Sequence, residues 1–394
     1  MEEARAAVDL ARRERGPDSR ETGIATIALG RAHARLAQNA EAERAFRQAL
    51  AIFERSDGPE SSWSAMATAN LAASLSDQAR HAEAEPLFER ALELNERLEE
   101  PAESGLEFIL NNYAVMEMNR GRFEHAEELL KRSLALRQEL YGSDDPRVAL
   151  VMYNLASIAR EQWRLADAER WYKGAIAIEE SKLGPDHPQL AKSLLGLATN
   201  HRSQGQLDEA EPLYERSLAI LEKTYGPAHP EVATALNGLA SLRVNQGRLE
   251  DAEALYERAL EINERVLGPR HPLVAVALNN LAAARLSAQR LDDAEPLLER
   301  AISIQEEAYG PDYVHLAFTL DHLAGIRHAR GRHEDAVRLL RRAVSIRERA
   351  FGTDSPQLIP LLEHLASCLR GTGDTEQAGD LEGRASRIRE TTAR

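Results

Sequence analysis

Cysteine is nearly absent from this 394-residue sequence, in which Cys368 is the single example. One cysteine excludes an intrachain disulfide and a cysteine-based metal site, and it is typical of a reducing compartment. The sequence has no stretch of 18 apolar residues that would span a membrane. Its first residues lack the basic and apolar segments of a secretory signal. We therefore expect a cytoplasmic protein.

Basic and aromatic residues are also scarce. Lys and Arg total 49 against 64 for Asp and Glu, which gives a net charge of −15. Such a chain lacks the clustered positive charge that nucleic acids and anionic membrane surfaces attract, so we expect neither as a partner. Aromatic residues make up 5% of the chain, and Ala and Leu carry most of the apolar content. This composition favours packed helices over a β-sandwich.

The abundant feature is repetition with a period of 42 residues. Three columns follow this period without a slip: an alanine that is followed by glutamate in its first seven members, a leucine or tyrosine, and a small residue. Their members are Ala42, Ala84, Ala126, Ala168, Ala210, Ala252, Ala294, Ala336 and Ala378; Leu29, Leu71, Tyr113, Leu155, Leu197, Leu239, Leu281, Leu323 and Leu365; and Ala49, Ala91, Ser133, Ala175, Ser217, Ala259, Ala301, Ala343 and Ala385.

Each period reads as two helices. In the fifth, apolar spacing predicts a first helix from about Pro188 to Gln204 and a second from about Asp208 to Tyr225, separated by Gly205. The link Leu-Gly-Pro-Asp-His-Pro at 183–188 recurs in similar form at 225–230 and 267–272. Its glycine suits a left-handed residue that ends a helix, and its second proline suits the first position of the next helix.

The repeated motifs resemble tetratricopeptide repeats, and more specifically the 42-residue repeats of the kinesin-light-chain subtype. The resemblance rests on Leu-Asn-Asn-Leu-Ala at 278–282, Ala-Glu-Pro-Leu-Tyr-Glu-Arg at 210–216 and the link at 183–188. It implies an all-α fold, a right-handed α-solenoid of about nine helix-turn-helix repeats plus an N-terminal half repeat.

The whole chain, 1–394, is expected to form one such solenoid. Residues 1–20 would be an N-terminal capping helix, 21–357 would hold eight well-formed repeats, and 358–394 would be a degenerate C-terminal repeat and cap. The last repeat is expected to be irregular because Pro360 falls inside its predicted first helix and glycines lower its helix propensity.

No arrangement of residues predicts catalysis, a cofactor or a metal site. There is no glycine-rich phosphate loop, and the Glu-His pairs lack the spacing of a helical zinc site. Cys368 reads as a small buried apolar residue. His322 and His364 share one repeat position and could stack, as a metal or pH-sensitive site or simply as replacements for asparagine. We expect a protein that is not an enzyme.

Asparagines at two neighbouring repeat positions mark a candidate binding face. By resemblance to peptide-binding tetratricopeptide proteins, these positions on the first helices line the concave face. Their amides would either pair with a peptide backbone or bridge neighbouring helices, since each offers a donor and an acceptor. The asparagines are Asn70, Asn111, Asn112, Asn154, Asn237, Asn279 and Asn280.

The same resemblance places other side chains on this face. Its N-terminal part would be apolar, with Phe108 among its residues, and its middle would carry Tyr153 and a basic group of Arg160, Lys192 and Arg202. These cations would either hold a carboxylate or phosphate of a partner or pair with nearby acids.

The expected function is a non-catalytic scaffold or adaptor that binds a protein or an extended peptide, possibly acidic, on this face. A regulatory module that changes superhelical shape on binding a peptide or an enzyme partner is the first alternative. An oligomeric structural scaffold is the second, and the sequence leaves the oligomeric state open.

Overall fold

The computed structural model describes residues 1–36, 38–78, 80–97 and 105–392, and within them every regular element is a helix. A short 3₁₀ turn, Pro356–Leu358, precedes α18. The α-helices are α1 Glu2–Arg15, α2 Arg20–Arg35, α3 Asn39–Ser56, α4 Ser62–Asp77, α5 His81–Glu96, α6 Leu106–Asn119, α7 Phe123–Tyr141, α8 Pro146–Glu161, α9 Leu165–Leu183, α10 Pro188–Ser203, α11 Leu207–Tyr225, α12 Pro230–Asn245, α13 Leu249–Leu267, α14 Pro272–Ser287, α15 Leu291–Tyr309, α16 Leu316–Ala329, α17 His333–Phe351, α18 Ile359–Thr372 and α19 Thr375–Thr392.

The helices form consecutive pairs. Each even-numbered helix packs most extensively against the helix that follows it, and α1 packs against α2. We call the even-numbered members from α2 to α18 the first helices and the odd-numbered members from α3 to α19 the second helices. This arrangement confirms the prediction of an all-α fold built from helix-turn-helix repeats.

The chain divides into two compact units, Met1–Pro185 and Asp186–Arg394. In the N-terminal unit, fully buried alanines of the Ala-Glu column such as Ala42 and Ala84 belong to one core cluster with the buried rings of Phe46 and Phe88. In the C-terminal unit, Ala210 and Ala252 pack beside Tyr214 and Tyr256 in the same way. Small residues let the helices approach closely, and the rings fill the space between them. The boundaries of the cap, the eight repeats and the degenerate repeat stay a prediction.

The links between repeats show why glycine, proline and histidine recur there. Gly226 has φ 83° and ψ 162°, so its φ is positive as expected, but its ψ lies in a region essentially restricted to glycine rather than in the left-handed helical region. Pro230 occupies the start of α12, as predicted. The preceding His229 is an N-cap, because its Nδ1 accepts a hydrogen bond from the Glu231 backbone N–H at 3.2 Å.

Pro360 lies inside the first helix of the last repeat, as expected, but in the first turn of α18, just after the 3₁₀ turn. A proline is tolerated in that turn because its missing N–H has no intrahelical partner there. The second helix of this repeat, α19, buries Ala378, Ala385 and Ile388 in the C-terminal core.

Candidate functional site

A column of apolar side chains lies on the first helices at one repeat position, which holds Lys192, Thr234 and Pro360 in the three remaining repeats. Ile24 and Leu150 in the N-terminal unit are 40% and 39% exposed, and Val276 and Phe318 in the C-terminal unit are 46% and 51% exposed. Met66 and Phe108 hold the same position and are partly buried. We call this column, with the neighbouring asparagine positions, the first-helix face. The apolar character expected at its N-terminal end is present, and it returns in the C-terminal unit.

Several of the predicted asparagines bridge neighbouring first helices. The amide of Asn154 donates to Asn111 Oδ1 at 3.0 Å. Asn70 donates to the Met66 carbonyl at 2.7 Å and accepts from Arg31 Nε at 3.0 Å. Asn279 Oδ1 lies 3.2 Å from His322 Nδ1. These contacts realise the bridging alternative at those positions.

Other predicted residues keep polar capacity. The Oδ1 atom of Asn237 is buried and has no hydrogen-bond partner within the described part of the chain. Asn280 is half-buried and lines a cavity together with Arg202. Among the described residues, the Asn112 side chain makes one long contact, in which Asn111 Nδ2 donates to Asn112 Oδ1 at 3.5 Å. The hydrogen-bonding capacity of these three amides is therefore not fully used within the described part of the chain.

The two predicted aromatic residues of the face pack against neighbours in the N-terminal unit. The guanidinium of Arg31 lies over the ring of Phe108, 4.9 Å from its centroid. The ring of Tyr153 meets that of Tyr172 edge to face, with centroids 5.7 Å apart. Both rings are partly exposed, so each presents an apolar surface held in a fixed orientation.

The predicted basic group divides into paired and unpaired members. Arg160 lies 2.8 Å from Glu161, and Lys192 lies 2.8 Å from Glu231, so both charges have a neighbouring carboxylate. Arg202 instead donates from Nη1 to Asn245 Oδ1 at 3.2 Å. Among the described residues, none offers Arg202 a carboxylate within ion-pair distance.

Sequence reasoning missed three tyrosine-hydroxyl contacts in the central repeats. The hydroxyls of Tyr172, Tyr214 and Tyr256 lie 2.8–3.2 Å from a hydroxyl 15 residues earlier, on Ser157, Thr199 and Ser241 respectively. The signal was present in the repeat columns. Where the second-helix position holds Phe or Leu, the partner position has no hydroxyl. Burial raises the pKa of Tyr172 and Tyr256.

A second missed feature gives a role to the glutamate of the Ala-Glu pair in three repeats. In the C-terminal unit, an arginine near the end of α12, α14 and α16 reaches two glutamates, one turn apart, on the preceding second helix. Arg285 is an example, with 2.8 Å from Nε to Glu253 and 2.9 Å from Nη2 to Glu257. We call these triads the arginine forks: Arg243 with Glu211 and Glu215, Arg285 with Glu253 and Glu257, and Arg327 with Glu295 and Glu299.

The two histidines that share a repeat position, His322 and His364, have separate partners. His322 contacts Asn279, and burial lowers its pKa. His364 Nδ1 lies 2.6 Å from Asp321 Oδ1, and this hydrogen bond raises the pKa of His364 to about 9. Among the described residues, no group of three or more His, Cys, Asp or Glu side chains is arranged to hold a metal ion. None of the helices within those residues is both long and apolar enough to cross a membrane.

Comparison with known proteins identifies the repeats. The model of the tetratricopeptide repeat family matches residues 2–55, 35–97, 106–181, 150–223, 201–262, 231–307, 275–349 and 315–391. No curated protein sequence matches the chain.

Solved structures share the fold. A Rap protein complexed with Competence and Sporulation Factor aligns with a TM-score of 0.65 and 14% identity, over 95% of this chain and 99% of that one. BtubC from P. vanneervenii aligns with a TM-score of 0.50 and 23% identity, over 59% and 92%. A Podosopora anserina putative kinesin light chain repeat protein is 26% identical over 53% and 99%, with a TM-score of 0.45.

Proposed function

This chain belongs to the tetratricopeptide repeat family, and on that premise we propose that it is a non-catalytic cytoplasmic scaffold that binds an extended peptide or a protein segment along its first-helix face. The observation that carries the proposal is the exposed apolar column of Ile24, Leu150, Val276 and Phe318. Covering such side chains stabilises a complex by roughly 25 cal/mol for each Å² of apolar surface removed from water.

The polar groups beside the column support a partner with an extended backbone. Asn237 carries an unsatisfied oxygen, and Asn280 is half-buried beside a cavity. An asparagine amide can donate to a backbone carbonyl and accept from a backbone N–H, so it recognises a main chain with little regard to side chains. Arg202 adds a cation without a carboxylate partner, which suits an acidic residue in the bound segment.

The test is selection of displayed 12-residue peptides against the wild-type protein, followed by binding measurements on face variants. The double variant Val276→Ser, Phe318→Ser should bind the selected peptides about tenfold more weakly or worse, because two exposed apolar side chains of the face are lost. Val266→Ser is the matched control, since Val266 is 49% exposed but lies on the second helix α13. Peptides that bind the double variant as tightly as the wild type would refute the proposal.

A second candidate is a regulatory module that changes shape when it binds a peptide or an enzyme partner. It is favoured by the shared fold with a Rap protein whose structure contains Competence and Sporulation Factor. Small-angle scattering with and without a selected peptide separates the two functions. A scaffold keeps one scattering profile, whereas a regulatory module changes it. The mass in solution tests the further alternative of an oligomeric structural scaffold.

A further inference from the structure

A cavity of about 200 Å³ lies among helices α10, α12, α13 and α14 of the C-terminal unit. Its size suits one short side chain rather than a free small-molecule ligand, which usually occupies about 300 Å³ or more. Alanines and a valine form its apolar wall, and none of the described residues that line it is acidic. The polar lining is Arg202, Ser241, Asn245, Tyr256, Asn280 and Ser287.

Arg202 is the only charged group in this lining. Its Nη1 donates to the neutral Asn245, and its Nε is buried without a partner among the described residues. Other arginines of the same unit differ, since Arg258 and Arg285 each pair with a carboxylate. A half-buried guanidinium with a free donor is costly unless an anion satisfies it.

Tyr256 and Asn280 offer the further donors of the lining. The Ser241 hydroxyl donates to the Asn237 carbonyl at 3.0 Å and lies 2.8 Å from the Tyr256 hydroxyl. The Tyr256 O–H therefore donates to Ser241 and reaches an anion only by turning away from it. Within the described residues, the Asn280 side chain makes no hydrogen bond, which leaves its NH₂ group available.

We infer that this cavity is the anion subsite of the first-helix face, where it holds one carboxylate or phosphoryl group carried by a short peptide side chain. The inference rests on the proposed function. Of the three basic residues predicted on the face, it assigns only Arg202 to the subsite. Arg160 and Lys192 are excluded from the subsite because each already has a carboxylate partner. Charge-assisted hydrogen bonds to Arg202 supply most of the affinity.

Capped amino acids test the subsite without a known partner. N-acetyl-aspartate N-methylamide, its asparagine counterpart and its phosphoserine counterpart are titrated while the arginine Nε–H signals of the ¹⁵N-labelled protein are recorded. One signal, absent from Arg202→Lys, should move with aspartate, phosphoserine or both, and not with asparagine. The compound that binds more tightly shows whether the subsite takes a carboxylate or a phosphoryl group. If this signal does not shift with either anion, or shifts equally with the asparagine compound, the inference is overturned.

Variants make the test quantitative. Arg202→Gln should weaken binding of the preferred anion by about tenfold or more, as expected for loss of a charged hydrogen bond. Asn280→Ala removes a side chain that makes no hydrogen bond within the described residues, and it should weaken binding of the preferred anion several-fold. Lys223→Gln is the control and should leave the affinity within about twofold, because Lys223 lies on the second helix α11, is exposed and is paired with Asp186. Equal loss in Lys223→Gln would show general electrostatic attraction and contradict a defined subsite.

The outcomes separate this inference from the proposed function. If the capped anions bind at Arg202 but no displayed peptide binds the face, the anion site stands and its assignment to a peptide falls. If selected peptides bind the face yet tolerate replacement of every acidic residue by its amide, the scaffold stands and the anion subsite is wrong.

Discussion

The side-chain amide of Asn154 donates to the side-chain oxygen of Asn111, which lies 43 residues earlier on the neighbouring first helix. The same register joins His322 to Asn279 and His364 to Asp321. One repeated pair of positions therefore ties first helices together, as two amides in the N-terminal unit and as a histidine with an amide or a carboxylate in the C-terminal unit. Substitutions within a pair measure how much each tie contributes.

Asn154→Ala should lower the free energy of unfolding by about 1–3 kcal/mol, because it leaves the buried Asn111 oxygen without its donor. The double variant Asn111→Ala, Asn154→Ala should cost less than the sum of the two single variants, since the orphaned group is gone. Urea unfolding followed by circular dichroism measures these values. Strictly additive costs would show that the two amides do not stabilise each other.

Arg285→Ala should destabilise the C-terminal unit by about 2 kcal/mol, because Arg285 is 17% exposed and its loss removes two charged hydrogen bonds. Arg285→Lys should lose less stability than Arg285→Ala but more than none, since an ammonium lacks the planar pair of donors that a guanidinium offers. The control is Arg265→Ala, at a side chain 57% exposed and 3.8 Å from Glu261, which should cost under about 0.5 kcal/mol. Equal losses at both positions in denaturant unfolding would contradict a special role for the fork.

Trp163→Gly should stabilise the N-terminal unit by about 1 kcal/mol. Trp163 is 72% exposed and has φ 59° in the turn after α8, where Gly121 holds the same repeat position with φ 74°. The left-handed backbone costs a bulky residue roughly 1–3 kcal/mol, and the greater freedom of glycine in the unfolded chain offsets part of the gain. Gly121→Ala is the reciprocal control and should destabilise. A lower thermal midpoint for Trp163→Gly would show that the indole contributes packing that exceeds the strain.

Stability should fall as the pH rises from about 6.5 to about 9, because of His364. The hydrogen bond to Asp321 raises its pKa from 6.5 to about 9, so its stabilising contribution is complete below 6.5 and is lost as the pH passes 9. The expected loss is about 1–2 kcal/mol after allowance for solvent screening. The urea midpoint of unfolding, measured across this pH range, should depend less on pH in His364→Gln than in the wild type. A slope unchanged in His364→Gln would assign the effect to another group.

The repeat period allowed the helix pairs, the turn glycine at Gly205 and the start of α12 at Pro230 to be predicted from sequence alone. Those features depend on local backbone chemistry and on a spacing that nine periods repeat. The partners of the face residues did not follow in the same way. Whether Lys192 meets Glu231, or Arg202 meets only Asn245, depends on side-chain geometry between helices 40 residues apart. The tyrosine contacts could have been predicted from the repeat columns, because the positions of Tyr214 and Thr199 change together from repeat to repeat.

The arginine forks have a consequence for the gene. Arg243, Arg285 and Arg327 each reach back 32 residues to their first glutamate. Removing residues 254–295 from the C-terminal unit would bring Arg327 and Glu299 into the places of Arg285 and Glu257, so the fork on Glu253 would re-form with identical chemistry. Loss or duplication of 42 codons between two repeats that carry a fork would therefore change the length of the C-terminal unit and leave each remaining fork arginine with its two glutamates.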